Sequence, residues 1–338
     1  MRVLTDGRAG NENPAKALAS AVAAAWPAGA DAVEIVIERL ALRPGAALAP
    51  PALWARFGPR AAFAALSDSA AVAAAPRADL LIGAGRRSAP IVAALRATTG
   101  ACAVQILWPQ MPIAGFDFVI APRHDRIPAA AAGHPALIRT IGALTDLSPE
   151  ALSAERARPD PRLDALPKPV IGVLVGGRSG SARFAASDAD ALSEAIERFS
   201  AEGASIAATG SRRTPEEVAA RLSALIRGRG GFWWDGAGEN PFRAILARAD
   251  ALIVTADSVN MASEAASAGP AVLIAPVGRL SPKLARFHAA LEAGGHARPL
   301  SEATALADLV GASPAPLAET PAIAERLVAR LLADRAGR

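Results

Sequence analysis

The sequence predicts an α/β protein built from two doubly wound, Rossmann-like lobes of parallel sheet that face a cleft. Three observations predict it. The chain repeats its own beginning: Val3-Leu-Thr-Asp-Gly-Arg-Ala-Gly10 aligns without gaps against Val173-Leu-Val-Gly-Gly-Arg-Ser-Gly180, and each copy runs from an apolar strand through a glycine-rich turn into an alanine-rich helical stretch. Short apolar runs alternate with helical stretches in both halves, as parallel strands joined by crossover helices require. At 338 residues, the chain exceeds one ordinary core and suits two domains of about 150 residues each.

The first lobe, residues 1–146, opens on the strand Arg2-Val3-Leu4, and further apolar runs place strands at 33–37, 80–82, 103–107 and 116–120. Residues 147–169 carry five prolines, many charges and little apolar periodicity, and read as the linker. The second lobe, 170–312, repeats the alternation with strands at 170–175, 205–209, 232–234, 251–255 and 271–275. The tail, 313–338, holds an amphipathic helix over 318–335 whose apolar face suits either lobe.

Composition narrows the function. Hydrophobic residues are 52% and charged residues 20%, and the apolar stretches are broken well before the ~18 residues a membrane span needs. No apolar leader precedes the first strand, so a cytoplasmic location is expected. Cys102 is the only cysteine; it excludes an intrachain disulfide and reads as a small core residue. The pI near 10.1 suggests nucleic acid, yet the net charge is only +4, and the chain has no Tyr and three Lys to buffer the alkaline range. Arginines are dispersed and aromatics are 4%, without the clustered basic and stacking residues of a nucleic-acid face.

The polar residues of the second lobe concentrate after its strands. Between the strands at 251–255 and 271–275 lies Ala256-Asp257-Ser258-Val259-Asn260-Met261-Ala262-Ser263-Glu264. Ser258 is an N-cap, so helix amides and the positive dipole end would meet an anion at the carboxyl edge of the sheet, beside Thr255 and Asp257. Glu264 lies about 9 Å further along the axis, the separation of a phosphate from a ribose diol; an ordinary capped helix with one solvated acid is the alternative. Gly176-Gly177-Arg178-Ser179-Gly180-Ser181 would let backbone amides approach a phosphate, with Arg178 adding a cation, although tight turns need glycine without any ligand. In Thr209-Gly210-Ser211-Arg212-Arg213-Thr214-Pro215, a capping box explains Thr214, Pro215 and Glu217. Ser211, Arg212 and Arg213 are left for phosphate recognition or for solvent. Trp233 and Trp234 read as core, with a nucleobase wall as the alternative. Asn240-Pro241 starts another helix.

In the first lobe, Asp6, Arg8, Asn11 and Lys16 follow strand one, Arg86, Arg87 and Ser88 follow Gly83-Ala84-Gly85, and His124-Asp125 follow the strand ending at Ile120. All fall at strand carboxyl ends. Asp6 and His124 are the candidate general bases, with a structural, loop-capping histidine as the alternative. Gly83-Ala84-Gly85 is no dinucleotide fingerprint, because Ser88 stands where the third glycine belongs. Asp188 and Asp190 are first-turn acids after Ser187. The four histidines are scattered, and no metal site is predicted.

With these loops in view, the chain resembles a bacterial member of the mitochondrial fission Elm ("elongated mitochondria") family over nearly its whole length. The matching residues are Leu4-Thr5-Asp6-Gly7-Arg8-Ala9-Gly10-Asn11, Pro122-Arg123-His124-Asp125, Gly176-Gly177, Ser211-Arg212-Arg213-Thr214-Pro215, Asn240-Pro241 and Thr255-Ala256-Asp257-Ser258-Val259-Asn260-Met261. The resemblance implies a fold similar to the two-lobed GT-B glycosyltransferases. The segment from Thr255 to Gly269 is also similar to the nucleotide-sugar loop of the enzyme that adds N-acetylglucosamine in peptidoglycan synthesis, which makes Glu264 the counterpart of a ribose-binding acid. The chain departs from the family in having Asn13-Pro14 after its first loop and no Lys after Gly269.

Three functions follow as expectations. A nucleotide-sugar transferase acting without metal or cofactor would hold a nucleoside diphosphate sugar at Gly176, Gly177, Arg178, Ser211, Arg212, Thr255, Asp257, Ser258 and Glu264. It would bind its acceptor at Arg8, Asn11, Arg86 and Arg87, with Asp6 or His124 as base. A non-hydrolysing epimerase needs a cluster of carboxylates and histidine that the sequence does not assemble. A non-catalytic adaptor would use peripheral membrane contact, at the inner membrane, or an unidentified protein partner, a role resembling that of the plant members, which are associated with recruiting a dynamin-related protein to mitochondria. The basic and apolar residues from Pro282 to Leu291 would serve such contact.

Overall fold

The structure, a computed structural model, describes every residue except 29–31, 47–48, 179–181, 183, 185–186, 304 and 337–338. It forms two compact units. Unit one comprises Met1–Thr140, Leu144–Asp146 and Glu319–Arg338; unit two comprises Ile141–Ala143 and Leu147–Ala318.

Unit one runs β1 (Arg2–Thr5), α1 (Ala9–Ala24), β2 (Val36–Arg39), α2 (Pro51–Arg56), α3 (Gly58–Ala64), α4 (Ser69–Ala74), β3 (Leu80–Ala84), α5 (Ala89–Thr99), β4 (Cys102–Ile106), β5 (Phe118–Pro122) and β6 (Leu137–Thr140). Its sheet has the order β2-β1-β3-β4-β5-β6, parallel throughout. The central strands β1, β3, β4 and β5 are buried along their whole length, so they read as unbroken apolar runs. Successive residues face opposite layers. Val3, Leu80, Val104 and Ile120 pack in one cluster, and Leu4, Leu81, Ala103 and Val119 in another.

Unit two runs α6 (Pro149–Ala157), α7 (Pro161–Asp164), β7 (Val170–Val175), α8 (Asp188–Ala201), β8 (Ser205–Gly210), α9 (Glu216–Gly228), β9 (Phe232–Trp234), α10 (Phe242–Arg248), β10 (Ala251–Thr255), α11 (Val259–Ala268), β11 (Ala271–Ala275), α12 (Pro282–Ala293) and β12 (Arg298–Pro299). Its parallel sheet has the order β12-β11-β10-β7-β8-β9. The last helix, α13 (Glu319–Ala336), belongs to unit one, where Ile323, Leu327 and Leu331 join the cluster of Val3, Leu18 and Leu80. The tail helix therefore covers the first lobe.

Sequence and structure differ in several places; the strand expected at 33–37, for one, lies at Val36–Arg39. The proline-rich segment 147–169 holds two short helices: Ser148 caps α6 by accepting from the Ala151 amide, Asp160 caps α7, and Pro149 and Pro161 sit in the first turns, where proline costs no hydrogen bond. Leu147, Leu152 and Leu163 enter the core of unit two. Strands β6 and β12 are additional edge strands. The apolar residues between Pro282 and Leu291 are core: Leu284, Phe287, His288 and Leu291 form the buried stripe of α12, and Phe287 is 0% exposed. Among the described residues no helix is long and apolar enough to cross a membrane.

Candidate functional site

Strand order locates the functional edge of each sheet. In open parallel sheets ligands bind at the strand carboxyl ends, where crossover connections leave in opposite directions. In unit two this switch point lies between β7 and β10, with β8 beside β7; in unit one it lies between β1 and β3. The Gly176, Ser211 and Thr255 loops therefore leave three adjacent strands.

The β7 and β10 loops are tied together by buried hydrogen bonds. Thr255 Oγ1 accepts from the Gly176 amide at 2.8 Å and donates to Asp257 Oδ1 at 2.6 Å, while Asp257 Oδ2 accepts from the Gly177 amide at 2.9 Å. Both side chains are buried. The glycines are needed for close approach. A Cβ at Gly176 would lie 2.1 Å from Asp257 Oδ2, and one at Gly177 would lie 2.0 Å from the Arg213 carbonyl oxygen. The Gly176 and Gly177 amides are thus spent on Thr255 and Asp257, which act here as the frame of the site. Ser179, Gly180 and Ser181 lie outside the described residues.

Further polar groups line the rim. Ser258 caps α11, its Oγ accepting from the Met261 amide at 3.3 Å, so the first turn of the helix opens on this edge. Glu264 is half-buried two turns along. Arg212 and Arg213 are exposed, and exposed Arg178 reaches Glu217 at 3.6 Å. The expected capping box is absent. The cap of α9 is Pro215, and Thr214 Oγ1 instead accepts from the Ser211 amide at 2.8 Å and donates toward the carbonyls of Val175 and Gly176. Thr214 thereby clamps the arginine loop to the end of β7, a bond that local spacing does not reveal.

His288 of α12 supports the same turn from below. It is buried, with Nε2 donating to the Ala256 carbonyl at 2.8 Å, and burial pushes its pKa down, so it is neutral at physiological pH. Trp233 is buried in the core, while Trp234 Nε1 donates to the Ala237 carbonyl at 2.8 Å. Asn240 Oδ1 accepts from the Phe242 amide at 3.0 Å, one residue before Pro241, the cap of α10. Asp188 and Asp190 are first-turn acids of α8.

In unit one, the β1 and β3 loops meet at Asp6. Its carboxylate is 6% exposed. Oδ1 accepts from Asn11 Nδ2 at 2.9 Å and from the Arg8 amide at 3.3 Å, while Oδ2 faces Arg8 Nε at 3.6 Å and Arg87 Nη1 at 3.9 Å. Gly85 (φ +78°) lets Asn11 in, since a Cβ there would lie 2.6 Å from Asn11 Nδ2. Asp6, Arg8, Asn11 and Arg87 therefore form one cluster, with exposed Arg86 next in the chain. Lys16 stands apart, bonded with Arg39 to buried Glu12, whose pKa these cations lower to about 2. His124 is not in the cluster. It is 2% exposed, with Nε2 3.8 Å from Asp125 Oδ1, and β5 stands three strands from β1, about 14 Å at the usual strand spacing.

Sequence reasoning missed the loop after β4. Among the described residues, Leu107 (φ 68°) and Gln110 (φ 56°) are the two non-glycine residues with left-handed backbone. They follow the strand next to β3, and Gln110 is exposed. Such strain collects where geometry serves a ligand; no residue pattern announces it.

Comparison with known proteins gives the fold and the family. The "Mitochondrial fission protein ELM1" of Arabidopsis thaliana is 29% identical over 240 residues, which are 65% of this chain and 56% of the plant protein. The chain thus aligns with little more than half of that relative. A putative UDP-N-acetylglucosamine 2-epimerase from Listeria monocytogenes superposes with a TM-score of 0.54 at 12% identity, covering 100% of this chain and 97% of that one. The UDP-GlcNAc 2-epimerase from Neisseria meningitidis, bound to UDP-GlcNAc, superposes with a TM-score of 0.50 at 12% identity, covering 99% and 100%. At such identity the likeness is one of fold, and the fold is GT-B-like. The sequence profile described as "Mitochondrial fission ELM1" matches residues 9–331. The chain belongs to the mitochondrial fission ELM1 family.

Proposed function

We propose that this protein binds a nucleoside diphosphate sugar at the β7/β10 edge of unit two and transfers the sugar to an acceptor held at the β1/β3 edge of unit one. One observation carries the reading: both switch points bear the polar loops, and the one in unit two combines an open, Ser258-capped helix start with Arg178, Arg212 and Arg213. The diphosphate sits at the first turn of α11 among those arginines, and Glu264 takes the ribose hydroxyls. As the sugar leaves, charge grows on the terminal phosphate, and the helix dipole and guanidinium groups meet it without a metal. On the acceptor side, Asp6 accepts the proton of the attacking hydroxyl, with Asn11 orienting one carboxyl oxygen and Arg8 and Arg87 facing the other. His124 is the second candidate base, at the end of β5. UDP-GlcNAc is the first donor to try, because the Neisseria relative of the same fold is bound to it.

The test is to incubate the protein with UDP-GlcNAc, with and without a bacterial lipid or glycan extract, and follow the nucleotide by phosphorus and proton NMR. Acceptor-dependent release of UDP, lost in Asp6→Asn, supports transfer. A sugar epimer without UDP release assigns the reaction to the epimerases. An unchanged, unbound nucleotide makes the adaptor reading the leading one.

A further inference from the structure

The surface of unit one is chemically uneven. From Arg39 to Ser67 the chain contains no Asp or Glu, while Arg43, Arg56 and Arg60 are exposed within it. The same stretch exposes large apolar groups: Leu53 in α2 is 44% accessible, and Phe57, between α2 and α3, is 65% accessible. Most residues of this size on a water-facing helix are polar. Neither Arg56 nor Arg60 has an ion-pair partner among the described residues. Against α2 lies a shallow recess of about 20 Å³, open to solvent, lined by Leu42, Pro51, Trp54 and Ile91 together with Arg86 and Arg87. The short helix and the residue after it therefore carry apolar groups outside, and the helix borders an apolar recess inside, with guanidinium groups around both.

We propose that α2 and the start of α3 form a membrane-contact face that docks on an anionic lipid bilayer. The two features match the two layers such a surface offers. Leu53 and Phe57 enter the boundary between headgroups and acyl chains, about 5–10 Å deep, while Arg56 and Arg60 stay at the level of the lipid phosphates. A second copy of the chain fits worse, because an isologous contact here would bring guanidinium groups against each other with no carboxylate to separate them. This surface replaces the one expected on α12, whose apolar side chains are core.

The experiment is co-sedimentation of the full chain with phosphatidylcholine vesicles, with and without phosphatidylglycerol, across rising salt. Binding is expected to require phosphatidylglycerol and to weaken with salt. The Leu53→Glu/Phe57→Glu and Arg56→Glu/Arg60→Glu variants should each weaken it by at least about tenfold. Because all four side chains are exposed, both variants should keep the wild-type melting temperature and any nucleotide affinity. Equal binding by the variants, binding indifferent to lipid charge, no binding at all, or a dimer lost in the variants without any lipid binding would each overturn the proposal. Nucleotide affinity is read separately, so failure here leaves the transferase reading standing, and the reverse.

Discussion

At the residue scale, the second unit's site is held by contacts that leave no room for a methyl group. Gly177 sits where a Cβ would lie 2.0 Å from the Arg213 carbonyl, so Gly177→Ala must push the arginine loop away from β7. It should cost about 2 kcal/mol or more in urea unfolding and misplace Arg212. A phosphate-contacting glycine with free space around it would show lost ligand affinity at unchanged stability. Glu12 provides a pH signature. Arg39 and Lys16 hold its carboxyl at about 2, below the ordinary value of about 4.3. A depressed carboxyl stabilises the fold above its ordinary pKa and loses that contribution as pH falls through its folded value. Both cations are substantially exposed, so Glu12→Gln should cost only about 1 kcal/mol at pH 7, and the difference should close as the pH falls from about 4 toward 2. A constant difference across that range would show that Glu12 acts by packing alone. Cys102, whose thiol burial pushes up to about 12, is correspondingly protected from thiol reagents in the folded protein.

At the element scale, what was legible in the sequence followed burial. Strands β7, β10 and β11 lie where the apolar runs placed them, because strands covered on both faces are apolar throughout. The edge strands β6 and β12 escaped notice: Leu137–Thr140 is only partly buried, and Arg298–Pro299 is two residues long. The short helices at 147–169 were hidden by their prolines, since Pro149 and Pro161 open them. The Ser258 cap was legible from one hydroxyl at the right offset, whereas the Thr214 clamp was not, because its partners, the last residue of β7 and the one after it, lie 39 and 38 residues away. Basic and apolar residues on α12 suggested a surface, yet a spacing of three and four residues describes a buried stripe equally well. For α13, packing settles the choice between lobes. Removing residues 319–338 would uncover Leu18, Leu80 and Val104, so the truncated chain should lose the thermal transition of unit one while keeping that of unit two. A truncated protein with both transitions intact would show that α13 is dispensable.

At the scale of the whole molecule, the sheets place the chemistry. Local patterning names the loops but carries no information on strand order, and only the order puts the β7 and β10 loops side by side and separates His124 from Asp6. Both units put their polar loops at the switch point, and this repetition carries the functional reading. The central claim is that unit two holds a nucleoside diphosphate there. The most direct test is isothermal titration with UDP and UDP-GlcNAc, comparing the native protein with Arg212→Ala and Glu264→Ala at matched melting temperature. The account predicts micromolar binding that each substitution weakens by about tenfold, the worth of one charge-assisted contact. No heat at millimolar nucleotide, or binding indifferent to both substitutions, would contradict it.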